Sequence, residues 1–180
     1  MKPPPAFSPA PAIPAVIRPA TVADLAAINE IYNHYVLTCT CTFQIAPESA
    51  AARRAWFRGH GPGYPVLVAE LADGNIAGWG ALGPYKEREG WRFTVENSVY
   101  VRAGMHGRGL GRALLAELVS RGRAAGHWNV IAVICAEQES SIRLHTAAGF
   151  VEVGRLPGVG CKFDRRLDVV YMQLQLDAGR

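Results

Sequence analysis

The sequence has little that would set it apart from ordinary globular proteins. No apolar run among its 180 residues approaches the roughly 18 residues that a membrane-spanning helix needs. The N-terminal segment lacks the apolar core of a signal peptide. The basic residues are scattered and are not interleaved with aromatic residues, so the net charge of +4 does not indicate nucleic-acid binding. We therefore expect a cytoplasmic protein that binds neither a membrane nor a nucleic acid.

Cysteine is also scarce, and its spacing fits no common framework. The four cysteines are Cys39, Cys41, Cys135 and Cys161, and they do not form the spaced pairs of a disulfide scaffold or a zinc finger. Cys39 and Cys41 are too close in sequence for the usual structural zinc pair, and no histidines cluster near them. We expect four reduced thiols and no bound metal.

Domain organisation follows from chain length and from where proline occurs. A chain of 180 residues with 49% hydrophobic and 19% charged residues suits one domain that buries a sizeable core. Six of the twelve prolines fall within the first 14 residues, which favours a disordered or extended tail. We predict a tail over residues 1–15 and a folded domain over residues 16–176.

Hydrophobic periodicity predicts an alternation of helices and strands. Strands are predicted at residues 16–19, 65–71, 75–82, 91–102, 128–135, 150–156 and 169–176. Helices are predicted at about 21–35, at 47–58 with Pro47 in the first turn, from the glycine-rich segment to about 126, and at 140–148. The last two strands are expected to flank a glycine-rich loop. This order indicates an α/β domain with a mixed sheet.

The segment from Thr94 to Leu115 carries the strongest functional signal. It begins with strand-forming residues, continues through Gly107, Gly109 and Gly111, and then shows apolar residues at helical spacing. A glycine loop that leads into a helix N-terminus exposes backbone N–H groups, which attract phosphate. The segment is therefore either a cradle for a cofactor pyrophosphate or a turn that only connects a strand to a helix.

Two well-known phosphate loops do not fit this segment. The dinucleotide pattern Gly-x-Gly-x-x-Gly/Ala fails because Arg112 or Leu114, depending on the register, occupies its last position. The nucleotide-triphosphate loop fails because neither Gly-Lys-Ser nor Gly-Lys-Thr is present. What remains is x-x-x-Gly-x-Gly over His106–Gly111, which resembles the coenzyme A loop of the GNAT superfamily of N-acetyltransferases.

Further motifs resemble one branch of that superfamily, the phosphinothricin N-acetyltransferases. They are TVENSVYV at 94–101, SIRLH at 141–145 with GF at 149–150, and VGCKF at 159–163 followed by LDVV at 167–170. The resemblance covers residues 16–176. It implies an α/β GNAT fold in which four helices flank a mixed sheet of about seven strands with a splayed central strand. It also implies a homodimer and acetyl transfer from acetyl-CoA, without a metal, to the amine of a glutamate-like amino acid such as phosphinothricin, methionine sulfoximine or methionine sulfone.

The resemblance assigns catalytic roles to Glu96 and His145. The attacking amine must be neutral, and a carboxylate on the central strand can take its proton. Glu96 is the only acid on that strand; the alternative is an exposed or cross-strand-paired glutamate. His145 stands where many relatives place a tyrosine that protonates the departing sulfur, but it could instead pack beneath the site or bind substrate. Because a thiol is already an easy leaving group, we expect Glu96 to matter more.

The other site residues follow from the same resemblance. Acetyl-CoA is expected to contact Val99, Tyr100, Val101, His106, Gly107, Arg108, Gly109, Leu110, Gly111, Arg112, Gln138 and Ser141. The acceptor is expected to contact Lys86, Arg88, Trp91, Thr94, Ser98 and Tyr100, with Phe43 closing the pocket. A splayed strand would leave backbone N–H groups near Val101 and Arg102 free to hold the thioester. The cations at 86 and 88 suit an anionic acceptor, unless they are only solvated loop charges.

The chain departs from the family pattern at four positions. His106 stands in place of Gln or Arg, Gln138 in place of Asn, and Asp164 and Arg166 in place of Gly and Trp. We expect coenzyme A binding to survive the change at 106, because backbone amides form the cradle. The other changes leave the acceptor open. The alternatives are a GNAT enzyme for another small amine, a polyamine or a protein N-terminus, or a coenzyme A sensor without turnover.

Overall fold

The computed structural model describes residues 13–176, so most of the predicted N-terminal tail lies outside the described residues. The strands are β1 Ala15–Pro19, β2 Val66–Leu71, β3 Ile76–Pro84, β4 Thr94–Val101, β5 Asn129–Cys135, β6 Val151–Lys162 and β7 Arg165–Gln175. The α-helices are α1 Leu25–Thr38, α2 Ala50–Arg58, α3 Leu110–Ala124 and α4 Glu139–Ala147. The first strand thus begins one residue inside the predicted tail. None of the helices described is both long and apolar enough to cross a membrane.

The seven strands form one open sheet in the order β1-β2-β3-β4-β5-β7-β6. Only the pairing of β4 with β5 is parallel, and every other neighbouring pair is antiparallel. Helices cover both faces. One face packs against α3 and α4 through residues such as Leu114, Leu118 and Phe150, and the other packs against α1 and α2 through Ile28, Ile31 and Trp79. The predicted mixed α/β architecture with four helices and seven strands is confirmed.

The entry to α1 shows how local sequence sets the first helix. Asp24 is only 7% exposed, and its carboxylate accepts a hydrogen bond of 2.7 Å from the Thr21 backbone N–H. Arg18 on β1 donates to the same carboxylate, and this hydrogen bond lowers the pKa of Asp24 to about 2. Thr21 and Asp24 thereby form a capping box at the start of the helical segment.

Three sequence-based boundaries are wrong. Helix α2 begins at Ala50, after Ser49 as the N-cap whose hydroxyl accepts from the Ala52 N–H at 3.1 Å, so Pro47 lies before the helix. Residues 89–91 form a 3-10 turn, so the central strand begins at Thr94. The predicted glycine-rich loop after residue 156 is instead a continuation of β6 to Lys162, which turns into β7 through left-handed residues Phe163 and Asp164.

Candidate active site

The cleft of the molecule begins where two central strands separate. Strands β4 and β5 pair over three positions only, from Thr94↔Asn129 to Glu96↔Ile131. Beyond Glu96, β4 pairs only with β3 as far as Val101, while β5 pairs only with β7 as far as Cys135. The splayed central strand expected from the resemblance is therefore present, and Glu96 lies at the vertex of the gap.

The open side of β4 presents backbone groups to this gap. In an antiparallel pair, residues alternate between bonding across the pair and facing away, and the Arg102 N–H bonds across to the Ala77 carbonyl oxygen at 2.8 Å. Val99 and Val101, at the alternate positions, therefore face the gap. The Val101 carbonyl oxygen accepts a hydrogen bond from the Tyr35 hydroxyl. The N–H groups of Val99 and Val101 therefore have no strand partner among residues 13–176 and can bind a ligand, but that of Arg102 cannot, which corrects the prediction.

The glycine loop forms the second wall of the gap. Gly107 and Gly109 have φ values of 75° and 84°, a region that L side chains rarely adopt. No atom lies within 4 Å of a Cβ built at either glycine, so the space beside the backbone is open. Gly109 is the N-cap of α3, where unpaired N–H groups and the helix dipole favour an anion. The loop thus fits the diphosphate of coenzyme A.

A hydrogen-bonded chain ties the glycine loop to α1. The Nε2 of His106 lies 2.8 Å from the Tyr35 hydroxyl oxygen, and the hydroxyl donates to the Val101 carbonyl. His106 must therefore donate its Nε2 proton to Tyr35. Burial lowers the pKa of His106, which favours the neutral ring. The histidine that departs from the family pattern thus serves as a support for the cradle.

Most of the predicted site residues line one cleft with a volume of about 670 Å³. Those that line it are Phe43, Glu96, Ser98, Val99, Tyr100, Val101, His106, Gly107, Gly109, Leu110, Gly111, Arg112, Gln138, Ser141 and His145. The others lie outside its lining: Lys86, Arg88, Trp91, Thr94 and Arg108. The glycine loop, the gap and Glu96 therefore share one cavity, whereas the basic loop before β4 does not reach it.

Glu96 is half-buried in this cleft, and its carboxylate forms no hydrogen bond or ion pair with any residue from 13 to 176. Side chains alternate along a strand, so Glu96 shares the face of Ser98 and Tyr100. That face is the one covered by α1, because Tyr100 stacks on Trp79 with ring centroids 4.9 Å apart. Burial raises the pKa of Glu96, which makes its carboxylate a better proton acceptor. Because Glu96 has no cross-strand partner among residues 13–176, the alternative of a paired glutamate is not supported.

His145 is held from both sides in a buried position on α4. Its Nδ1 lies 2.8 Å from the Ser141 carbonyl oxygen, which can only accept, so Nδ1 carries the proton. Its Nε2 lies 2.9 Å from the Asn97 amide nitrogen and accepts from it. Burial lowers the pKa of His145, consistent with a neutral ring. Neither nitrogen offers a proton to the cleft in this arrangement, which favours the alternative in which His145 packs beneath the site.

Asn97 is a cleft residue that the sequence reasoning missed. It is 8% exposed, and its side chain faces α4 because it alternates with Glu96. While its amide nitrogen donates to His145, its Oδ1 is buried without a partner among the described residues. An unpaired buried carbonyl costs about 1–3 kcal/mol, so this oxygen is suited to accept an N–H of a bound ligand. The only sequence signal was its place in the TVENSVYV motif.

Lys162, which was also missed, holds the segment 39–44, four of whose residues line the cleft. This lysine is 3% exposed, and its Nζ donates to the carbonyl oxygens of Cys39 and Thr42, each at 2.7 Å. The Gln138 amide donates to the Thr40 hydroxyl at 2.9 Å. Two distant elements, β6 and the start of α4, thereby hold the segment 39–44. The motif VGCKF contained Lys162, but its spacing does not reveal the carbonyls it binds.

Phe43 belongs to the same segment and packs on β6. A Cβ built at Gly160 would lie 2.1 Å from a carbon of the Phe43 ring. The ring therefore occupies space that only a glycine leaves open. Phe43 lines the cleft, and Gly160 fixes where its ring lies.

The basic loop between β3 and β4 has its own contacts. The Lys86 Nζ lies 4.9 Å from the Trp91 ring centroid and 5.0 Å from that of Tyr85, and Arg88 is exposed. The loop follows Pro84, next to Gly83, which is the cross-strand neighbour of Glu96. It therefore lies beyond the Glu96 end of the gap, opposite the glycine loop.

The cleft has the parts of an acetyl-CoA site, and comparisons with known proteins agree. The profile described as the Acetyltransferase (GNAT) family matches residues 28–150. The chain belongs to that family. This GNAT chain is 45% identical over 167 residues to an L-methionine sulfoximine/L-methionine sulfone acetyltransferase of Pseudomonas paraeruginosa, covering 92% of this chain and 97% of the relative.

Two similar solved structures contain acetyl-CoA. One is yncA, a putative acetyltransferase from Salmonella typhimurium with its cofactor acetyl-CoA, which has a TM-score of 0.90 and 42% identity over 93% of this chain and 96% of that one. The other is a phosphinothricin acetyltransferase from Sinorhizobium meliloti in complex with acetyl-CoA, with a TM-score of 0.88 and 40% identity over 92% and 90%. The predicted GNAT fold and superfamily are confirmed, and the chain is an acetyl-CoA-dependent N-acetyltransferase. Residues 13–176 contain no group of three or more His, Cys, Asp or Glu side chains that could hold a metal.

Proposed function

We propose that this GNAT enzyme acetylates the amine of a small glutamate-like amino acid, the class that includes phosphinothricin and methionine sulfoximine or sulfone. The observation that carries the proposal is the unpaired Glu96 carboxylate at the vertex of the β4–β5 gap, in the same cleft as the glycine loop. The names of the methionine sulfoximine and phosphinothricin acetyltransferases that resemble the chain support this acceptor class.

Acetyl-CoA, when bound, supplies an activated acetyl group, and the chain's own residues position and deprotonate the partners. The N–H groups of the glycine loop hold the diphosphate, and those of Val99 and Val101 hold the chain that leads to the thioester. An α-amino group has a pKa near 8, so about a tenth of it is neutral at pH 7. Glu96 takes the proton from the amine, directly or through one water, as the amine attacks the acetyl carbon. The bond between the acetyl carbon and sulfur then breaks, and coenzyme A leaves as a thiolate that takes a proton from water, since a thiol is an easy leaving group.

The acceptor side of the proposal rests on charge. Lys86 and Arg88 lie on the loop just beyond Gly83 and Glu96, and we assign them to the carboxylate and the side-chain anion of the acceptor. Arg can bind a carboxylate or phosphinate through two parallel hydrogen bonds. Because neither residue lines the cleft of the single chain, they act from its rim. A polyamine or basic peptide would be repelled by the same two cations.

The proposed assembly is a homodimer in the cytoplasm. Strand β6 is a sheet edge, and its row of exposed apolar side chains consists of Val151, Val153, Leu156, Val159 and, in the following turn, Phe163. An apolar edge of this kind favours pairing with a second copy. The cytoplasmic location is supported by four free thiols, which persist in a reducing compartment.

Light scattering after gel filtration tests the dimer. The wild type is expected at twice the monomer mass, and Val159→Arg is expected to shift toward the monomer. Val16→Arg is the matched control, because Val16 is 65% exposed on the opposite edge of the sheet. A monomeric wild type, or an equal shift in both variants, would reject β6 as the interface.

Product analysis over a panel of amines tests the activity. Phosphinothricin, methionine sulfone, common amino acids, polyamines and a peptide N-terminus are each incubated with enzyme and acetyl-CoA, and the N-acetylated product is quantified by mass spectrometry. The highest kcat/KM is expected for the two glutamate analogues. Preference for polyamines or peptides would reject the acceptor class. Binding of acetyl-CoA without product from any amine would indicate a sensor.

A further inference from the structure

Two cysteines stand beside the acceptor side of the cleft, and the acetyl transfer described above does not use them. Cys39 directly follows α1, and Thr40 and Cys41 form a turn. Both cysteines are half-buried free thiols that line the cleft. A turn brings residues two apart within the range of Cα separations that disulfides span, about 4.4–6.8 Å.

Polar groups surround the turn that carries Cys39. The Cys41 backbone N–H donates to the Cys39 Sγ at 3.3 Å, and the Gln138 amide donates to the hydroxyl of Thr40, the residue between the two cysteines, at 2.9 Å. The buried ammonium of Lys162 binds the Cys39 and Thr42 carbonyls on either side. Donors and a nearby positive charge stabilise a thiolate, which is the reactive form of cysteine.

The ionisation of the two thiols is correspondingly uneven. The hydrogen bond from the Cys41 thiol lowers the pKa of Cys39 to about 6. The same hydrogen bond, together with burial, raises the pKa of Cys41. Both shifts favour ionisation of Cys39 before that of Cys41. Burial raises the pKa of the nearby Tyr35 and Tyr100 phenols, which stay neutral.

We propose that Cys39 and Cys41 form a redox-sensitive dithiol that hydroperoxides convert to an intramolecular disulfide, and that this disulfide lowers acetyl transfer. The proposal goes beyond the acetyltransferase activity. It concerns a modification site on the segment that carries Phe43.

The chemistry needs only the two thiols and one hydroperoxide. The Cys39 thiolate attacks an oxygen of the hydroperoxide, the O–O bond breaks, and Cys39 becomes a sulfenic acid while the remaining oxygen leaves as an alcohol or water. The Cys41 sulfur then attacks the Cys39 sulfur, an S–S bond forms, and water leaves. Overall, two thiols lose two electrons and two protons, and one hydroperoxide is reduced to an alcohol, or water, plus water.

The disulfide affects the cleft through the contacts of its own turn. It removes the hydrogen bond from the Cys41 N–H to the Cys39 sulfur, and it changes the turn whose carbonyls bind Lys162. Phe43 is two residues further on and fits against Gly160 with no spare space. A shift of this segment therefore displaces Phe43 from the acceptor side. The glycine loop is held by the Tyr35 hydroxyl of α1, outside the segment 39–44, so the effect is expected first on the acceptor side.

The other two cysteines provide internal controls. Cys135 is buried and Cys161 is exposed, and neither lies in a turn with a second cysteine. Cys161 is more accessible than Cys39, so a reaction governed by exposure alone would modify Cys161 first. A reaction governed by the dithiol environment modifies Cys39.

To test this, the 180-residue protein is treated with hydrogen peroxide. The remaining thiols are alkylated with iodoacetamide, and the peptides are mapped by mass spectrometry. The expected result for wild type and Cys161→Ser is a peptide containing Cys39 and Cys41 that has lost two hydrogen atoms and carries no alkyl group. Cys41→Ser is expected to stop at a dimedone-reactive sulfenic acid on Cys39. Acetylated product is also measured by mass spectrometry, relative to the untreated sample of each protein. We expect peroxide to lower it in wild type and Cys161→Ser and dithiothreitol to restore it. In Cys39→Ser, peroxide should change it little.

Two results would overturn the proposal. One is full alkylation of Cys39 and Cys41 under peroxide that oxidises Cys161, and the other is a disulfide to Cys161 or to a second chain. The peptide masses decide this even if Cys39→Ser fails to fold or if the acceptor class is wrong, since they need no turnover. Formation of the disulfide with unchanged product in an active enzyme would refute its effect on acetyl transfer.

Discussion

The donor and acceptor ends of the cleft are built in different ways. At the proposed donor end, the groups available for binding belong to the main chain: those of the glycine loop with left-handed Gly107 and Gly109, and those on the open side of β4 at Val99 and Val101. At the acceptor end, side chains from distant elements hold a short segment, as Lys162 does for Cys39 and Thr42. On the proposed assignment, we expect the cofactor to be recognised by a local backbone conformation and the acceptor by a surface assembled from distant parts of the chain.

Glu96 stands where the two ends meet, and its removal is expected to have the largest effect. Glu96→Gln keeps the shape of the side chain but cannot take a proton, so kcat should fall about 10²- to 10³-fold while the KM for acetyl-CoA stays within about twofold. Steady-state kinetics with both substrates measures this. Glu87→Gln, on the exposed loop, is the control and should behave as wild type.

The pH profile belongs to the same prediction. Because burial raises the pKa of Glu96, kcat/KM of the wild type should rise with pH as Glu96 loses its proton and as the acceptor amine does the same. In Glu96→Gln the rise at lower pH, which comes from the carboxylate, should disappear, and only the rise from the amine should remain. An unchanged profile in the variant would assign the proton transfer elsewhere.

A change in the glycine loop sharpens the contrast, because it should affect acetyl-CoA alone. Gly109→Ala places a side chain at φ 84°, which costs about 1–2 kcal/mol or forces the loop to move. The KM for acetyl-CoA should rise about tenfold, in line with that energy. Gly104→Ala is the matched control, since Gly104 has φ 81° but does not line the cleft. It should lose similar stability without the change in KM.

A change behind Phe43 should affect the acceptor alone. Gly160→Ala puts a methyl group 2.1 Å from the ring, so Phe43 must shift and the KM for the amino acid should rise several-fold, with that for acetyl-CoA unchanged. Gly154→Ala is the control on the same strand, because a Cβ there meets no atom within 4 Å. Equal rises in both KM values for Gly160→Ala would mean that the two ends are not independent.

The smallest expected effect concerns stability and pH. Burial lowers the pKa of His145, so the unfolded chain binds a proton more readily than the folded one. Stability is therefore full above the unfolded pKa of about 6.5 and falls as the pH drops below it. Urea unfolding at pH 7.5 and 5.5 measures the loss. His145→Gln should reduce that loss but not abolish it, since burial also lowers the pKa of His60 and His106.

The contrast between the two ends of the cleft also explains which parts of the fold and the site could be predicted from the sequence. The glycine loop was predictable from a contiguous motif, because its residues determine its own backbone conformation. The splayed strand and the role of Glu96 were expected from the resemblance to the family. The hairpin at Asp73-Gly74 was predictable for the same reason as the glycine loop, and Gly74 has φ 82°. Lys162 was not, because its partners at Cys39 and Thr42 lie 120 or more positions away in the chain.

Asn97 and His145 show the same limit. Their separation of 48 residues hides the hydrogen bond that fixes the histidine tautomer, so the sequence alone could not choose between an acid and a support. The long β6 was misread as a loop because its glycines suggest turns, whereas Gly160 is needed for the close approach of Phe43. In both cases long-range packing decided what local pattern could not.

The most direct test of the account is a crystal structure of the enzyme with coenzyme A and a glutamate-like acceptor. The account predicts diphosphate oxygens on the backbone N–H groups of the glycine loop, and the acceptor amine within hydrogen-bonding reach of Glu96, directly or through one water. A diphosphate bound elsewhere, or an amine with no path to that carboxylate, would contradict it.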